Sequence, residues 1–397
     1  MFENIIGHTR VIDQLKQEIL KKQVPGALLF YGDAYTAKLS TALELARVLT
    51  CKQKGDWSCG CSSCQEHRVL DHPYVLMLGT RYFNEEIAAS GEALLRSRSE
   101  GSRFLYIRAV RKLTRRFDPI LWEGNEQKIK KVQSHINTLV EEVEEIYPDQ
   151  NLPPDEALRD SVEKINSLAA ELSRIIPRDN IPIDQVRSVN SWVHTTSSGS
   201  PKIVLFENAE RMGASSRNAL LKTLEEPPEG VYFILLSTRR VRIMPTILSR
   251  VRQYHFPRRN SDTEKEVLRK IFRMSEPQYA NLRSFFLAWR GVPLEKLNAQ
   301  ARHFFSYVWG ETEWEPEKLE GFLKDKNLDI YFIPFLEELS RIILSHVHGE
   351  GEYPGLTCSL MEKWNEDIRK CVKQFEHFNQ APDLLLEGLL YSMKDSV

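Results

Sequence analysis

Cys51, Cys59, Cys61 and Cys64 gather four thiols into fourteen residues. Four thiolates are what a closed, structural zinc site needs. Zinc is therefore expected here in a structural role, with a metal-free cluster of reduced thiols as the alternative. His67 is a further ligand candidate if one cysteine cannot reach. The remaining two cysteines, Cys358 and Cys371, are expected to be buried on helices. A second stretch, Gly32-Asp33-Ala34-Tyr35-Thr36-Ala37-Lys38-Leu39, follows an apolar run. A phosphate-cradling loop reads G-x-x-x-x-G-K-[ST]: its glycines let backbone N–H groups close on phosphates, and its hydroxyl holds Mg²⁺. Gly32 and Lys38 keep that pattern, but Ala37 replaces the second glycine and Leu39 brings no oxygen. A plain strand-to-helix connection is the better expectation, with Lys38 leaving idle nucleotide binding open. The third stretch, Leu95–Arg116, sets Arg96, Arg98, Arg103, Arg108, Arg111, Lys112, Arg115 and Arg116 against Glu100 alone. With Phe104, Tyr106 and Phe117 it could track a nucleic-acid backbone. The favoured expectation is an amphipathic helix with solvated charges and Leu105, Ala109 and Leu113 turned inward.

These residues need elements to hold them. A helix over Val11–Lys21, an apolar strand Ala27–Tyr31, the Gly32 loop and a helix over Leu39–Thr50 make a βα unit of a parallel α/β sheet. Further strands are expected at Tyr74–Leu78, Ile203–Phe206 and Tyr232–Leu236, with a helix over Ala214–Glu225 stopped by Pro227-Pro228. Residues 80–178 interrupt this pattern. Ile129, Val132, Ile136, Leu139, Val143 and Ile146 recur at steps of three and four, as do Leu158, Val162, Ile165, Ala169, Leu172 and Ile176. Helix breakers separate the two sets, so residues 126–177 read as an antiparallel coiled-coil hairpin protruding from the sheet domain. Beyond Phe256 the chain reads as helical, with Ser261 as an N-cap.

With 397 residues, 42% of them apolar and 27% charged, the chain should form two or three soluble domains. A net charge of −1 confines any DNA contact to a local patch. No run approaches the roughly 18 apolar residues that span a bilayer. A cytoplasmic protein without membrane partners is expected, and there structural disulfides are rare.

Several segments together resemble the bacterial DNA polymerase III clamp-loader family of AAA+ proteins, specifically its delta-prime branch. They are Ile6-Gly7-His8 with the Ala27–Gly32 strand, the string Asn218-Ala219-Leu220-Leu221-Lys222-Thr223-Leu224-Glu225-Glu226-Pro227-Pro228, the Ile247-Leu248-Ser249-Arg250 motif, and Asn379 with Leu384–Glu387. The resemblance implies an AAA+ P-loop-type α/β domain with a zinc knot (1–79 and 179–257), a helical lid (258–312) and an all-α oligomerisation collar (313–397). Residues 80–178 lie outside it.

By that resemblance, Arg250, next to Ser249, is an arginine finger that completes a neighbouring subunit's ATPase site. The family usually has a cysteine where Val251 stands. The chain's own site looks disabled. Glu207-Asn208 replaces the metal-binding and water-activating acid pair, and Leu294, in Gly291-Val292-Pro293-Leu294, replaces a γ-phosphate-sensing arginine. Gly32, Lys38 and Glu207 are thus a degenerate nucleotide site. The family's cysteine pattern is also one residue longer between the second and third cysteines, where this chain has Cys59-Gly60-Cys61. The implied partners are gamma/tau-type and delta-type subunits in a hetero-oligomeric ring, the sliding clamp and, indirectly, primer-template DNA. A divergent gamma/tau-type ATPase is the competing reading, and a stand-alone zinc-dependent nucleic-acid-binding protein is a third.

Overall fold

The computed structural model describes residues 1–177, 180–195, 199–275, 279, 281–289, 291, 294–311, 328–345, 356–378 and 380–396. They form two compact units, Met1–Trp289 and Arg290–Val397. The expected lid segment 258–312 lies across that division.

The first unit is built on five strands: β1 (Ala27–Tyr31), β2 (Val75–Gly79), β3 (Lys202–Glu207), β4 (Val231–Ser237) and β5 (Arg252–His255). They pair in the order β2-β3-β4-β1-β5, every pair parallel. Parallel strands covered on both faces read as unbroken apolar runs, because alternate residues feed two cores. Leu29, Leu78, Phe206 and Leu235 enter one core, while Leu28, Phe30, Met77, Leu205 and Ile234 enter the other. Helices α1 (Thr9–Leu20) and α2 (Lys38–Thr50) cover the second core. A short α3 (Ser62–Arg68) follows α2.

Residues of the insertion cover the first core. It holds α4 (Phe83–Ser97), α5 (Glu100–Thr114), two 3-10 turns (Arg115–Phe117 and Pro119–Trp122), α6 (Glu126–Lys130), α7 (Gln133–Glu144) and α8 (Asp155–Ser173). Both predicted apolar stripes are buried from Ile136 and Leu158 onward, and α7 packs on α8. The hairpin does not protrude, however. Helix α8 also packs against α4, α5 touches both α7 and α8, and all the stripes join the sheet's core. A stripe wide enough to meet three helices makes a bundle rather than a two-stranded seam. The first predicted helix also breaks at Lys131–Val132, leaving Ile129 and Val132 half-buried. Gly91 lets α4 approach closely: a Cβ there would lie 2.9 Å from Val162 and 3.1 Å from Tyr106.

Helix α9 (Ile183–Val193) and helix α10 (Ala214–Glu225) lie on the same face as the insertion. After α10 come α11 (Pro245–Leu248), α12 (Ser261–Lys270) and α13 (Leu282–Trp289). The cap of α12 is Asn260, not Ser261: its side chain accepts from Thr263 N at 2.8 Å. In the second unit, helices Leu294–Trp309, Leu328–Ser345, Cys358–Phe378 and Pro382–Lys394 bury Phe304, Phe305, Phe332, Phe335 and Trp364. Cys371 is buried as expected, but Cys358 begins its helix and is exposed. Asn379, Val292 and Pro293 lie outside the described residues.

Candidate functional site

Nucleotide-binding α/β folds take their ligand at the carboxyl ends of the strands, beside a switch in strand order. Here that place is the end of β1, where Gly32 begins the loop to α2. Gly32 has φ +146°, and a side chain there would run into the carbonyl of Phe256. The loop is folded on itself. Lys38 is buried, and its Nζ donates to Gly32 O at 2.7 Å, to Asp33 O and to Thr36 Oγ1 at 3.1 Å. Burial pushes this lysine down to about 8, against the pull of Glu210 and Asp33. Ala37 sits at φ 59° in the left-handed region that favours glycine. Arg259 Nη1 donates to Tyr35 O at 2.6 Å, and the Tyr35 ring stacks on Phe286 of α13 with centroids 4.8 Å apart. Lys38 is spent on its own loop, and a neighbour's ring covers Tyr35.

Glu207 ends β3 and is buried. Its two oxygens are taken by Arg81 Nη1 at 2.9 Å and by Arg116 Nη2. Arg81 and Lys112 both also reach Glu86. Three cations and two carboxylates thus form one cluster, in which Lys112, Arg116 and Glu207 are buried and Arg81 and Glu86 partly so. Burial alone would raise the Glu86 carboxyl, but Arg81 and Lys112 hold it at about 2. Burial pushes Arg116 down to about 10, with Glu207 opposing. Two guanidinium groups therefore already neutralise Glu207. Asn208 has a positive φ of 50° and donates to Thr80 O.

The basic stretch is also spent internally. Arg103 donates to the carbonyls of Pro148 and Gln150, each at 3.0 Å, and Arg108 to His67 O at 2.7 Å. Arg111 donates to Tyr147 Oη at 2.8 Å and Arg115 to Val75 O at 2.8 Å. Arg96 and Arg98 bond Phe272 O and Asp155. Tyr106 and Phe117 are buried. The inward half of the favoured expectation holds, with Ala109 and Leu113 buried, but most of these cations are bound to the chain's own carbonyls and carboxylates rather than solvated. Spacing showed an amphipathic helix, but not that carboxylates and carbonyls from distant segments would meet its charged side.

Arg250 lies just past α11, next to exposed Ser249. Its side chain is 27% exposed and pairs with Glu225, the last residue of α10, at 3.1 Å. Nη1 donates to Thr246 O at 2.8 Å, while Nε has no partner. Arg250 is therefore a half-exposed guanidinium held at the end of the helix that carries the Asn218–Pro228 string.

The sulfurs of Cys51, Cys59, Cys61 and Cys64 all lie within 4.8 Å of one another. Cys51 Sγ is 3.7 Å from Cys59 Sγ and 4.0 Å from Cys61 Sγ. Zinc–sulfur bonds of about 2.3 Å in a tetrahedron put sulfurs about 3.8 Å apart, so the four residues fit a metal such as zinc. Arg47 Nη1 donates to Cys64 Sγ at 3.0 Å while its other nitrogens bind Glu44 and Gly55 O. That contact orients a ligand and offsets thiolate charge. Burial works against it, but backbone N–H groups of Cys64 and Lys52 pull the Cys61 thiol down to about 6. His67 is outside the cluster: its Nε2 meets Thr50 Oγ1 at 2.7 Å and its ring stacks on His72.

The family described as "DNA polymerase III, delta subunit" matches residues 7–260. Over 132 residues the chain is 32% identical to DNA polymerase III subunit delta' of Haemophilus influenzae, covering 32% of this chain and 40% of that one. Over 75 residues it is 44% identical to the same subunit of Pseudomonas aeruginosa, covering 19% and 23%. A 62-residue stretch is 44% identical to DNA polymerase III subunit tau of Escherichia coli, 16% of this chain and 10% of that one. The chain spans less than half the length of these curated relatives. The family match runs from Gly7 to Asn260, through the Gly32 loop, the cysteine knot, Glu207 and Arg250, and on that ground the chain belongs to the DNA polymerase III delta-subunit family, in its delta-prime branch.

Proposed function

We propose that this chain is a non-hydrolysing clamp-loader subunit that completes the ATPase site of an adjoining gamma/tau-type subunit with Arg250. The observation that carries the reading is a contrast in availability. The residues that would serve its own nucleotide are bound inward, Lys38 to its loop and Glu207 to Arg81 and Arg116. Arg250 is 27% exposed and is held at the surface by its ion pair with Glu225 and by hydrogen bonds to Thr246 O and Ser249 Oγ. A surface pair of this kind is worth about 0–1 kcal/mol, and the two hydrogen bonds about 1 kcal/mol each, against which a neighbour's phosphate offers stronger charge-assisted bonds. A finger of this kind stabilises charge on the transferring phosphoryl group and contributes roughly 10³–10⁵ in rate.

In this reading the partners are gamma/tau-type and delta-type subunits, with the sliding clamp and primer-template DNA engaged by the ring as a whole. Zinc held by Cys51, Cys59, Cys61 and Cys64 ties the end of α2 to α3 and has no catalytic part. The test is ATP turnover by the complex reconstituted with Arg250→Ala. Turnover at the site next to this chain should fall by at least about a hundredfold, while the variant chain keeps its melting temperature and its place in the complex. Unchanged turnover would remove the finger assignment.

A further inference from the structure

The insertion does more than cover the sheet. On one side it is anchored to the β2–β3 edge through Arg116 and Arg81 on Glu207, and through Arg115 on the carbonyls of His72 and Val75. On the other side it meets the helices after β5. Ala89 of α4 is buried in one apolar cluster with Val267 and Leu268 of α12, Phe272, and Leu282 and Phe285 of α13, and Leu105 of α5 packs against that cluster. Arg96 reaches the carbonyls of Phe272 and Arg273, both at 3.4 Å. A Cβ on Gly101 would lie 2.8 Å from Arg273 Nη2, so α5 starts flush against this segment. The Gly32 loop also meets this region, with Tyr35 stacked on Phe286 of α13 and Arg259, just before α12, on the carbonyls of Ile6 and Tyr35.

We infer that the insertion is a built-in clasp, which fixes α12 and α13 against the sheet in one arrangement that needs no nucleotide. A ligand lying between a sheet edge and a helical lid sets the lid's position by touching both sides. Here α4 and α5 touch both sides permanently. Their contacts bury apolar surface and spend cations on carbonyls, so this arrangement is held whether or not a nucleotide is present. A rigid lid suits a subunit that must present Arg250 steadily, but the inference stands on the contacts of Ala89, Leu105 and Arg96. The turnover assay on Arg250 does not read it.

The test is hydrogen–deuterium exchange on the full chain, read at α13 and, as an internal control, at β3 and β4. In the unaltered chain, millimolar Mg-ATP should leave α13 exchange unchanged. Ala89→Glu places a carboxylate in the apolar seam and should speed α13 exchange by about tenfold or more, with β3 and β4 unaffected. If that variant also loosens the sheet, the milder Leu105→Ala decides, with a smaller acceleration confined to α12 and α13. Protection of α13 by Mg-ATP would overturn the clasp, because nucleotide would then be setting the lid. So would α13 exchange that stays unchanged in a variant whose sheet is intact.

Discussion

The charge cluster around Glu207 predicts that two substitutions at one ion pair differ greatly in cost. Arg81, Lys112 and Arg116 carry three positive charges and Glu86 and Glu207 two negative ones, all largely withdrawn from water. Arg116→Met leaves two charges of each sign, and Glu207 keeps Arg81 at 2.9 Å. What is lost is one charge-assisted bond, together with the bond from Nε to Gly79 O at 3.1 Å. Such bonds are worth roughly 1.5–3 kcal/mol. Removing a guanidinium that burial has already pushed down to about 10 returns part of that. A net loss of about 1–2 kcal/mol follows. Glu207→Gln keeps the shape but leaves three cations facing one carboxylate. Stranding buried charge in this way costs about 3–5 kcal/mol. Urea unfolding of the full chain at pH 7, read at the transition of the first unit, measures both. Equal costs, or the reverse order, would refute the view that Glu207 is the keystone of the cluster rather than a disused metal ligand.

Three further outcomes are expected. Purified chain should carry about one zinc, and Cys59→Ser should lower that content and the melting temperature together, since structural zinc and folding are linked; full stability without any bound metal would count against the site. Glu86 titrates at about 2 in the folded chain, below the ordinary 4.5. The stability it adds is therefore in place above pH 4.5 and lost as pH falls from there towards 2, and Glu86→Gln should flatten that part of the stability–pH curve. Excising residues 80–178 removes both cations that pair with Glu207 and uncovers the core face lined by Leu78 and Phe206. Rather than regaining ATPase, the shortened chain should bind a hydrophobic dye and lose cooperative unfolding, and a native-like melt would contradict this.

The strands β1 to β4 were legible because buried parallel strands are short apolar runs, and Ala27–Tyr31 matches residue for residue. The edge strand β5 was not: in Arg252-Gln253-Tyr254-His255 only Tyr254 is buried, so no run forms. Helix α9 hid behind its serines and asparagine, although Val186, Val189 and Val193 do recur at helical spacing. The insertion shows the limit most plainly. Period told which residues of 129–176 turn inward but not what they meet, and the same stripe serves a free hairpin or a bundle. The cysteine cluster was legible because four thiols in a short span leave few alternatives. The fate of Arg108, Arg111, Arg115 and Arg116 was not, because their partners lie in other segments, 91 residues away in the case of Glu207.

Lys38 and Glu207, the two residues that the resemblance assigns to a nucleotide site, illustrate one rule of buried charge. The loop after β1 carries Lys38 between Ala37 and Leu39, and β3 ends in Glu207. Neither can sit unpaired in a low-dielectric interior. They do not pair with each other. Lys38 turns onto its own loop's oxygens, which the loop can supply because its backbone is already curled there. Glu207, fixed at a strand end, cannot move to a partner, so its partners come to it from either end of the α4–α5 segment, Arg81 before it and Arg116 after it. Hence the basic composition of Leu95–Arg116 reports, in part, a charge debt inside the fold rather than a ligand outside it. A cation-rich helix is best tested for internal carboxylates and carbonyls before it is assigned to DNA.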